Sequence, residues 1–116
     1  MPSAAKLQAR YYLLTGIWPL LSRRSFEAVT GPKHDFWLAR TVGLLAASIG
    51  IGLYRGARAE GQVSDDMRAA AICAALAFGV IDVVEVARGR IRPVYLVEAA
   101  AEATLLAAWW RQRGDD

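Results

Sequence analysis

Five ionisable residues lie within or at the ends of the most apolar stretches of this sequence: Arg40, Asp82, Glu85, Glu98 and Glu102. A charged side chain at membrane depth costs roughly 2.5–3.5 kcal/mol on insertion scales unless it is paired or reaches water. Such residues hold protons, ions or polar ligands in an apolar environment. We therefore predict that these five form a buried polar cluster and a candidate binding site, with no catalytic residue assigned.

The spacing of these residues leaves two main arrangements open. If Arg40 pairs with Asp82 or Glu98, the pair is either a structural ion pair that fixes helix register or one side of a binding pocket. Glu102 lies one helical turn beyond Glu98, so the two carboxyl groups share a helix face. In the pocket interpretation Glu102 is protonated or linked to water. In a third arrangement Glu85 and Glu98 only extend toward the headgroup region.

The sequence predicts neither a metal site nor a cofactor. Glu98 and Glu102 lack the Glu-x-x-His motifs of a two-metal carboxylate bundle, and the only histidine, His34, falls in a predicted surface loop. No nucleophile elbow, phosphate-binding loop or Cys/His metal spacing occurs. Cys73 is a lone thiol that cannot form an internal disulfide. A net charge of +3 without a basic stripe does not favour nucleic-acid binding.

Segregation of charge indicates which elements position the cluster. Hydrophobic residues make up 55% of the 116 residues and charged residues 22%. Each uncharged run is shorter than the roughly 20 residues of a membrane span, so flanking charges must lie inside the helices. A soluble four-helix bundle is the alternative to four spans. The uncharged runs are residues 11–22, 41–54, 69–81 and 103–110.

Aromatic residues favour the membrane interpretation. Trp37 and Tyr54 bracket the second apolar segment, and Tyr95 and the pair Trp109–Trp110 bracket the fourth. Trp and Tyr at both ends of apolar runs are typical of the interfacial belts of membrane proteins. The same residue types flank the first segment: Tyr11, Tyr12 and Trp18.

These patterns predict an all-α fold, a four-helix transmembrane bundle that forms one integral membrane domain over residues 1–116. A short interfacial helix over residues 22–30 is expected between the first two spans, because Gly31-Pro32 is a typical helix stop. The predicted spans are residues 3–22, 36–55, 66–88 and 93–110.

Small residues recur at four-residue spacing on three predicted spans, and such stripes allow helices to approach closely in lipid. We expect these residues at helix contacts, either within the bundle or with a partner. Arg40 and Asp82 extend two of the stripes by three residues, so both are expected to face neighbouring helices. The stripes are Ala39–Gly43–Ala47, Ala71–Ala75–Gly79 and Ala99–Ala103–Ala107.

Part of the sequence resembles a known group. The stretch Thr15-Gly-Ile-Trp-Pro-Leu-Leu-Ser-Arg-Arg-Ser-Phe-Glu-Ala-Val-Thr-Gly-Pro-Lys33, followed by residues 37–45, is similar to small uncharacterised bacterial membrane proteins with a DoxX-like four-helix layout. In that layout a span with a Pro is followed by a surface helix and then by a span with Arg-x-x-Gly, which Arg40-Thr-Val-Gly43 fits. The resemblance implies a four-helix fold and a location in the bacterial plasma (inner) membrane. It implies no activity.

Three functions are consistent with these features. The first is a non-enzymatic integral membrane protein, structural or accessory to a membrane assembly, whose partners are the lipid bilayer and a second copy or a larger membrane complex. The second is a small proton-coupled transporter acting as a homodimer, indicated by Glu98 and Glu102. The third, less favoured, is a membrane enzyme acting on a lipid or a quinone, with Arg40 as the anchor and Asp82 or Glu98 as acid or base.

Overall fold

The computed structural model describes residues 3–33, 35–60 and 63–115, and His34 lies outside these ranges. Within them the chain is all-α, as the sequence predicts, and a short helix lies between the first two long ones. The second and fourth long helices continue about five residues beyond their predicted ends. The helices are α1 (Ala4–Leu21), α2 (Arg23–Thr30), α3 (Phe36–Glu60), α4 (Asp65–Ala87) and α5 (Tyr95–Asp115).

Local capping chemistry defines the helix boundaries. Ser3, Ser22 and Ser64 precede α1, α2 and α4, and each hydroxyl accepts a hydrogen bond from the backbone N–H three residues later. Such caps satisfy backbone donors that the first helical turn leaves without a partner. Gly31 follows α2 with a φ of 99°, a backbone conformation that glycine adopts without a Cβ clash.

Helices α1 and α3 form the closest pair, and glycine makes this possible. The backbones of Gly16 and Gly43 meet so closely that a Cβ on either residue would clash with the carbonyl oxygen of the other. Farther along, a Cβ on Gly50 would lie 3.0 Å from the Ala9 carbonyl oxygen. Rising numbers on α3 thus meet falling numbers on α1, so the helices are antiparallel. The expected helix contact at Gly43 is confirmed.

Helices α4 and α5 form the second antiparallel pair. Ala71 and Ala75 on α4 are fully buried, and Gly79 lies where a Cβ would be 3.6 Å from Glu102 Cβ. The stripe on α5 behaves differently, because Ala103 and Ala107 are exposed. The buried face of α5 is instead the neighbouring one, which contains Glu102, Leu105 and Trp109.

All four long helices pack together at the closed end of the bundle, the end at which α1 begins and α5 finishes. There they share a core of small residues around one Leu and one Trp. Helices α3 and α4 make few contacts with each other, and beyond this core, toward the open end, a cavity lies between the two helix pairs. The closed end therefore holds the helices together, and the open end is available for a site. The core residues are Ala4, Ala5, Ala9, Leu53, Ala57, Ala71 and Trp109.

The distribution of polar and apolar side chains is the reverse of that in most soluble proteins, which bury apolar side chains and expose polar ones. The fully or nearly buried residues include Gln8, Asp82 and Glu102, whereas large apolar side chains on all four long helices face outward. Leu14 on α1, for example, is 74% exposed. In the described ranges two helical segments, Phe36–Arg58 and Asp65–Ala87, are long and apolar enough to cross a membrane.

The aromatic residues separate into two groups. Trp37, Tyr54 and Trp110 are exposed, Trp37 in the first turn of α3 and the other two five or six residues before the ends of α3 and α5. The interfacial belts stay a prediction. Tyr12 and Trp109 are buried instead, so the expectation that they belong to a belt is wrong. Their polar atoms find partners inside the bundle, which allows their rings to be buried.

We predict that Gly16→Ala destabilises the protein and that Gly52→Ala does not. The added Cβ at Gly16 meets the backbone oxygen of Gly43, which cannot move aside. Overpacking of this kind costs about 1–3 kcal/mol. At Gly52 the nearest atoms belong to the flexible end of Met67 at 3.5 Å, and alanine favours a helix by up to about 1 kcal/mol. Unfolding in detergent measures both, and equal effects would contradict the close approach of α1 and α3.

Helix α2 is held by one carboxylate. Glu27 accepts hydrogen bonds from Arg23 Nε at 2.9 Å and from the backbone N–H of Lys33 at 2.7 Å. On the apolar side of α2, the centroid of the Phe26 ring lies 5.2 Å from that of Trp18 and 6.0 Å from that of Phe36. The helix is thus joined to both of the helices that it connects.

These contacts predict an acid-sensitive turn at residues 31–33. Hydrogen bonds from the backbone N–H of Lys33, which has the larger effect, and from the Arg23 side chain hold the pKa of Glu27 below its ordinary value of 4.5. A carboxyl group whose pKa is lowered by folding stabilises the folded state at any pH above its ordinary pKa. This stabilisation is lost as the pH falls through the lowered pKa of the folded state. Hydrogen exchange of the Lys33 amide, corrected for intrinsic rate, should therefore accelerate in acid. Glu27→Gln should abolish this response, and an unchanged response would contradict the assignment.

Candidate polar cavity

A row of polar side chains on α1 faces α4 and α5. Gln8 is completely buried, its Nε2 donates to the Ala71 carbonyl oxygen at 2.9 Å, and its Oε1 accepts from Trp109 Nε1 at 2.7 Å. One amide thereby joins three helices at the closed end of the bundle. Because both its oxygen and its nitrogen have partners, burial of this amide carries no unsatisfied group.

One turn farther along α1, two tyrosines contact the two glutamates of α5. Tyr12 Oη donates to Glu102 Oε1 at 2.9 Å, and Tyr11 Oη donates to Glu98 Oε1 at 3.3 Å. The Phe78 ring of α4 meets the Tyr12 ring edge-on, with centroids 5.6 Å apart. The phenol of Tyr12 is therefore fixed from two sides and presents its hydroxyl to Glu102.

Two carboxyl oxygens in this region are buried without a hydrogen-bond partner in the described chain. They are Oε2 of Glu102, a residue that is 1% exposed, and Oδ2 of Asp82, which is 6% exposed. No described ion pair involves either residue. An unsatisfied buried polar atom costs about 1–3 kcal/mol, so native proteins keep few of them. Both oxygens are therefore candidates to bind a proton or a polar ligand.

Both carboxyls border a cavity of about 520 Å³ between α3 and the α4–α5 pair. Glu98 also lines it, so three acidic side chains from two helices meet in one space. Most of the remaining wall is apolar, with Phe78 and Ile81 among its residues. The cavity thus has an acidic interior and an apolar wall.

The outer rim of the cavity is formed by the segment between α2 and α3 and by the start of α5. Among the described side chains that line the cavity, Lys33 is the only basic one. Its Nζ donates to the carbonyl oxygens of Thr30 at 3.0 Å and Gly31 at 3.1 Å, and lies 5.3 Å from the Tyr95 ring centroid. Within the described ranges no ion pair joins Lys33 to a carboxylate. It therefore leaves the acidic groups of the cavity without ion-pair partners.

The structure brings together three of the five residues singled out in the sequence: Asp82, Glu98 and Glu102. Arg40 is not among them. It is exposed, and its guanidinium lies 5.0 Å from the Phe36 ring centroid. The expected pairing of Arg40 with Asp82 or Glu98 is wrong because Ala39 faces the cavity, and the next residue on a helix is rotated by about 100°.

Glu85 also lies apart from the cavity. Its carboxylate is 3.6 Å from Arg88 Nη1 and 3.7 Å from Arg90 Nε at the end of α4. This agrees with the arrangement in which Glu85 reaches the surface. Exposed pairs of this kind contribute little, about 0–1 kcal/mol. For Glu98 the same arrangement is wrong, because Tyr11 holds it at the cavity wall.

Sequence reasoning missed the polar residues of α1 and the role of Trp109. A signal was available, because Gln8, Tyr11, Tyr12 and Thr15 recur at helical spacing on one face, as do Glu98 and Glu102. Matching polar rows on two helices indicate a buried contact between them. The charged residues alone do not show this match, because the row on α1 is uncharged.

The arrangement limits the available chemistry. Within the described ranges no group of His, Cys, Asp or Glu side chains is placed to hold a metal ion. Carboxyl and phenol groups can accept, donate and exchange protons, and can bind a positively charged group. No family model, curated protein or solved structure matches this chain. The resemblance to the DoxX-like layout therefore stays a prediction.

We predict that Tyr12→Phe destabilises the protein more than Tyr11→Phe. The first change leaves Glu102, completely buried, without its donor, at a cost of about 1–3 kcal/mol. The second removes a longer hydrogen bond to a half-buried carboxyl, so the loss should be smaller. Both variants keep the aromatic ring, so lost packing does not confuse the comparison. Melting in detergent measures the difference, and a larger loss for Tyr11→Phe would contradict the geometry.

Proposed function

We propose that this chain is an integral membrane protein, of the bacterial inner membrane, in which α1, α3, α4 and α5 all cross the bilayer. The observation that carries this proposal is the reversed polarity, with Gln8, Asp82 and Glu102 inside and large apolar side chains outside. Soluble proteins rarely expose such extensive apolar surface. In a bilayer that surface faces lipid, while the buried polar side chains are kept away from it.

Helices α1 and α5 fit this arrangement although their average composition is less apolar than that of α3 and α4. Buried polar residues on these helices, such as Gln8 on α1 and Glu102 on α5, face the interior. Their exposed faces carry Leu14 and Val97, while the charged Arg10 is exposed within the first two turns of α1, where its side chain can reach the headgroup region. Lipid contacts only the outer face, so a helix average understates how well each helix suits a bilayer. The four-span bundle rests on this argument.

Within that bundle we assign the cavity the role of a proton-exchanging binding site in a small proton-coupled transporter. Arg40 lies outside the cavity and forms no ion pair with Asp82, Glu98 or Glu102. An ion pair with Arg40 therefore does not explain why these carboxyl groups are in the interior. A carboxyl group without a cation partner in an apolar site is kept at a cost in stability. Exchange of protons against a ligand is a function that repays this cost.

A structural or accessory role is the second candidate, and one observation favours it. Ala103 and Ala107 form an exposed pair at four-residue spacing on α5. Small residues at that spacing suit a close contact with another helix. The same contact also suits a homodimeric transporter, so it does not separate the two functions. The cavity carboxyl groups do distinguish the two functions, because a contact on the outer surface of α5 does not involve them.

The test is labelling with dicyclohexylcarbodiimide, a hydrophobic reagent that enters bilayers and modifies protonated carboxyl groups. In proteoliposomes we expect mass spectrometry to locate the label on Glu98, Glu102 or Asp82. Labelling should decline as the pH rises, because the reactive form loses its proton. Glu85 and Glu27, which face water, should react instead with a water-soluble carbodiimide. Absence of label on all three cavity residues, or labelling independent of pH, would refute a proton-exchanging site.

A further inference from the structure

We propose that the ligand of this cavity is an amphiphilic organic cation, with a single positive charge joined to an apolar body. This inference rests on the proposed transport function and specifies its substrate class. It follows from three properties of the cavity: its charge, its unpartnered oxygens and its wall.

The charge of the lining favours a cation. Asp82, Glu98 and Glu102 line the interior and Asp35 lines the rim, and Lys33 is the only basic residue among the described lining side chains. Two of the three N–H donors of Lys33 are engaged by backbone carbonyl oxygens, and its single positive charge faces four carboxyl groups of the lining. An anion would meet carboxyl groups without a compensating partner, which is strongly unfavourable in an apolar site.

Two carboxyl groups of the lining each have an oxygen without a hydrogen-bond partner in the described chain. They are Glu102, through Oε2, and Asp82, through Oδ2. The two residues lie on α5 and α4, so acidic side chains of two helices border the space that a cation would occupy. The other oxygen of Glu102 is occupied by Tyr12, which fixes the carboxyl group in place. Preorganised groups bind with a smaller entropic cost.

The wall accommodates an apolar body rather than a hydrated ion. Apolar side chains from three helices, among them Leu38, Val42, Phe78 and Ile81, surround the acidic groups. The Phe78 ring in the wall adds an aromatic surface, which attracts a cation. The volume of about 520 Å³ lies within the usual range for small-molecule sites, roughly 300–1,000 Å³. A small hard metal ion requires an oxygen cage that this wall does not supply.

The experiment compares two probes of nearly equal shape and opposite charge, tetraphenylphosphonium and tetraphenylborate. Binding to the purified protein in detergent is measured by equilibrium dialysis, at neutral and at mildly acidic pH. We expect saturable binding of the cation only. Binding should weaken at least several-fold in acid, because protons compete for the same carboxyl groups, and each binding event should release protons into weakly buffered solution.

Variants identify the site. Glu102→Gln and Asp82→Asn should each lower the affinity for the cation at least tenfold. Glu85→Gln is the matched control, because Glu85 lies about one turn from Asp82 on α4 but pairs with surface arginines outside the cavity. This control should bind as the wild type does. Two separate cavity variants keep the test valid if one of them fails to fold.

The outcomes separate the ligand class from the underlying function. Equal binding of both probes, binding of the anion alone, no saturable binding of the cation, or unchanged cation binding in both cavity variants would overturn the inference. The carbodiimide result is independent of any ligand. If the carboxyls are labelled in a pH-dependent manner but the cation does not bind, the proton-exchanging site stands and only the substrate class is wrong. If cation binding is selective but neither labelling nor binding depends on pH, the cation site stands and proton coupling fails.

Discussion

The contact between α1 and α5 is the interaction on which the rest of this structure depends. The hydroxyl of Tyr12 donates to Glu102, and one turn away Gln8 bonds both to Trp109 and to the backbone of α4. These bonds join the α1–α3 pair to the α4–α5 pair. Because the partners are polar, they specify both the register and the rotation of the helices, which apolar contacts alone specify poorly. The same bonds turn the polar face of each helix inward and its apolar face outward.

A second constraint divides the bundle along its length. At the closed end small residues and Trp109 fill the space between four helices. At the open end Gly16 and Gly43 allow α1 and α3 to touch through their backbones, and three carboxyl side chains border the cavity. The shared apolar core thus lies at one end, while the other end keeps groups that cost stability. This division is what a binding site inside a small bundle requires.

The helical architecture was accessible from the sequence, and the reasons are local. Charge-free runs predict the long helices, Gly31-Pro32 predicts the end of the short one, and the small-residue stripe through Gly43 correctly predicts a helix contact. The burial of Asp82 followed from its position three residues after Gly79. These inferences rely on spacing within one helix, which the sequence contains directly.

The site was predicted only in part, because it depends on how the helices rotate against one another. Asp82, Glu98 and Glu102 do meet, but the pairing of Arg40 failed because α3 turns Ala39 rather than Arg40 toward the cavity. Tyr12 and Trp109 were assigned to the membrane surface because aromatic residues near helix ends are common there. Their burial follows from polar partners on other helices. A sequence indicates such partners only when the polar residues at helical spacing on one helix are compared with those on another.

The central claim is that α1 and α5 lie in lipid with their polar faces turned inward. It is tested most directly by spin labels at two exposed positions, Leu14 near the middle of α1 and Ala100 in the second turn of α5, after replacement of Cys73 by Ser. In proteoliposomes the account predicts that both labels relax more with dissolved oxygen, which concentrates in lipid, than with a water-soluble nickel complex. A label at Arg88, in the exposed turn after α4, should show the opposite order. Preferential access of the nickel complex to Leu14 and Ala100 would contradict the account.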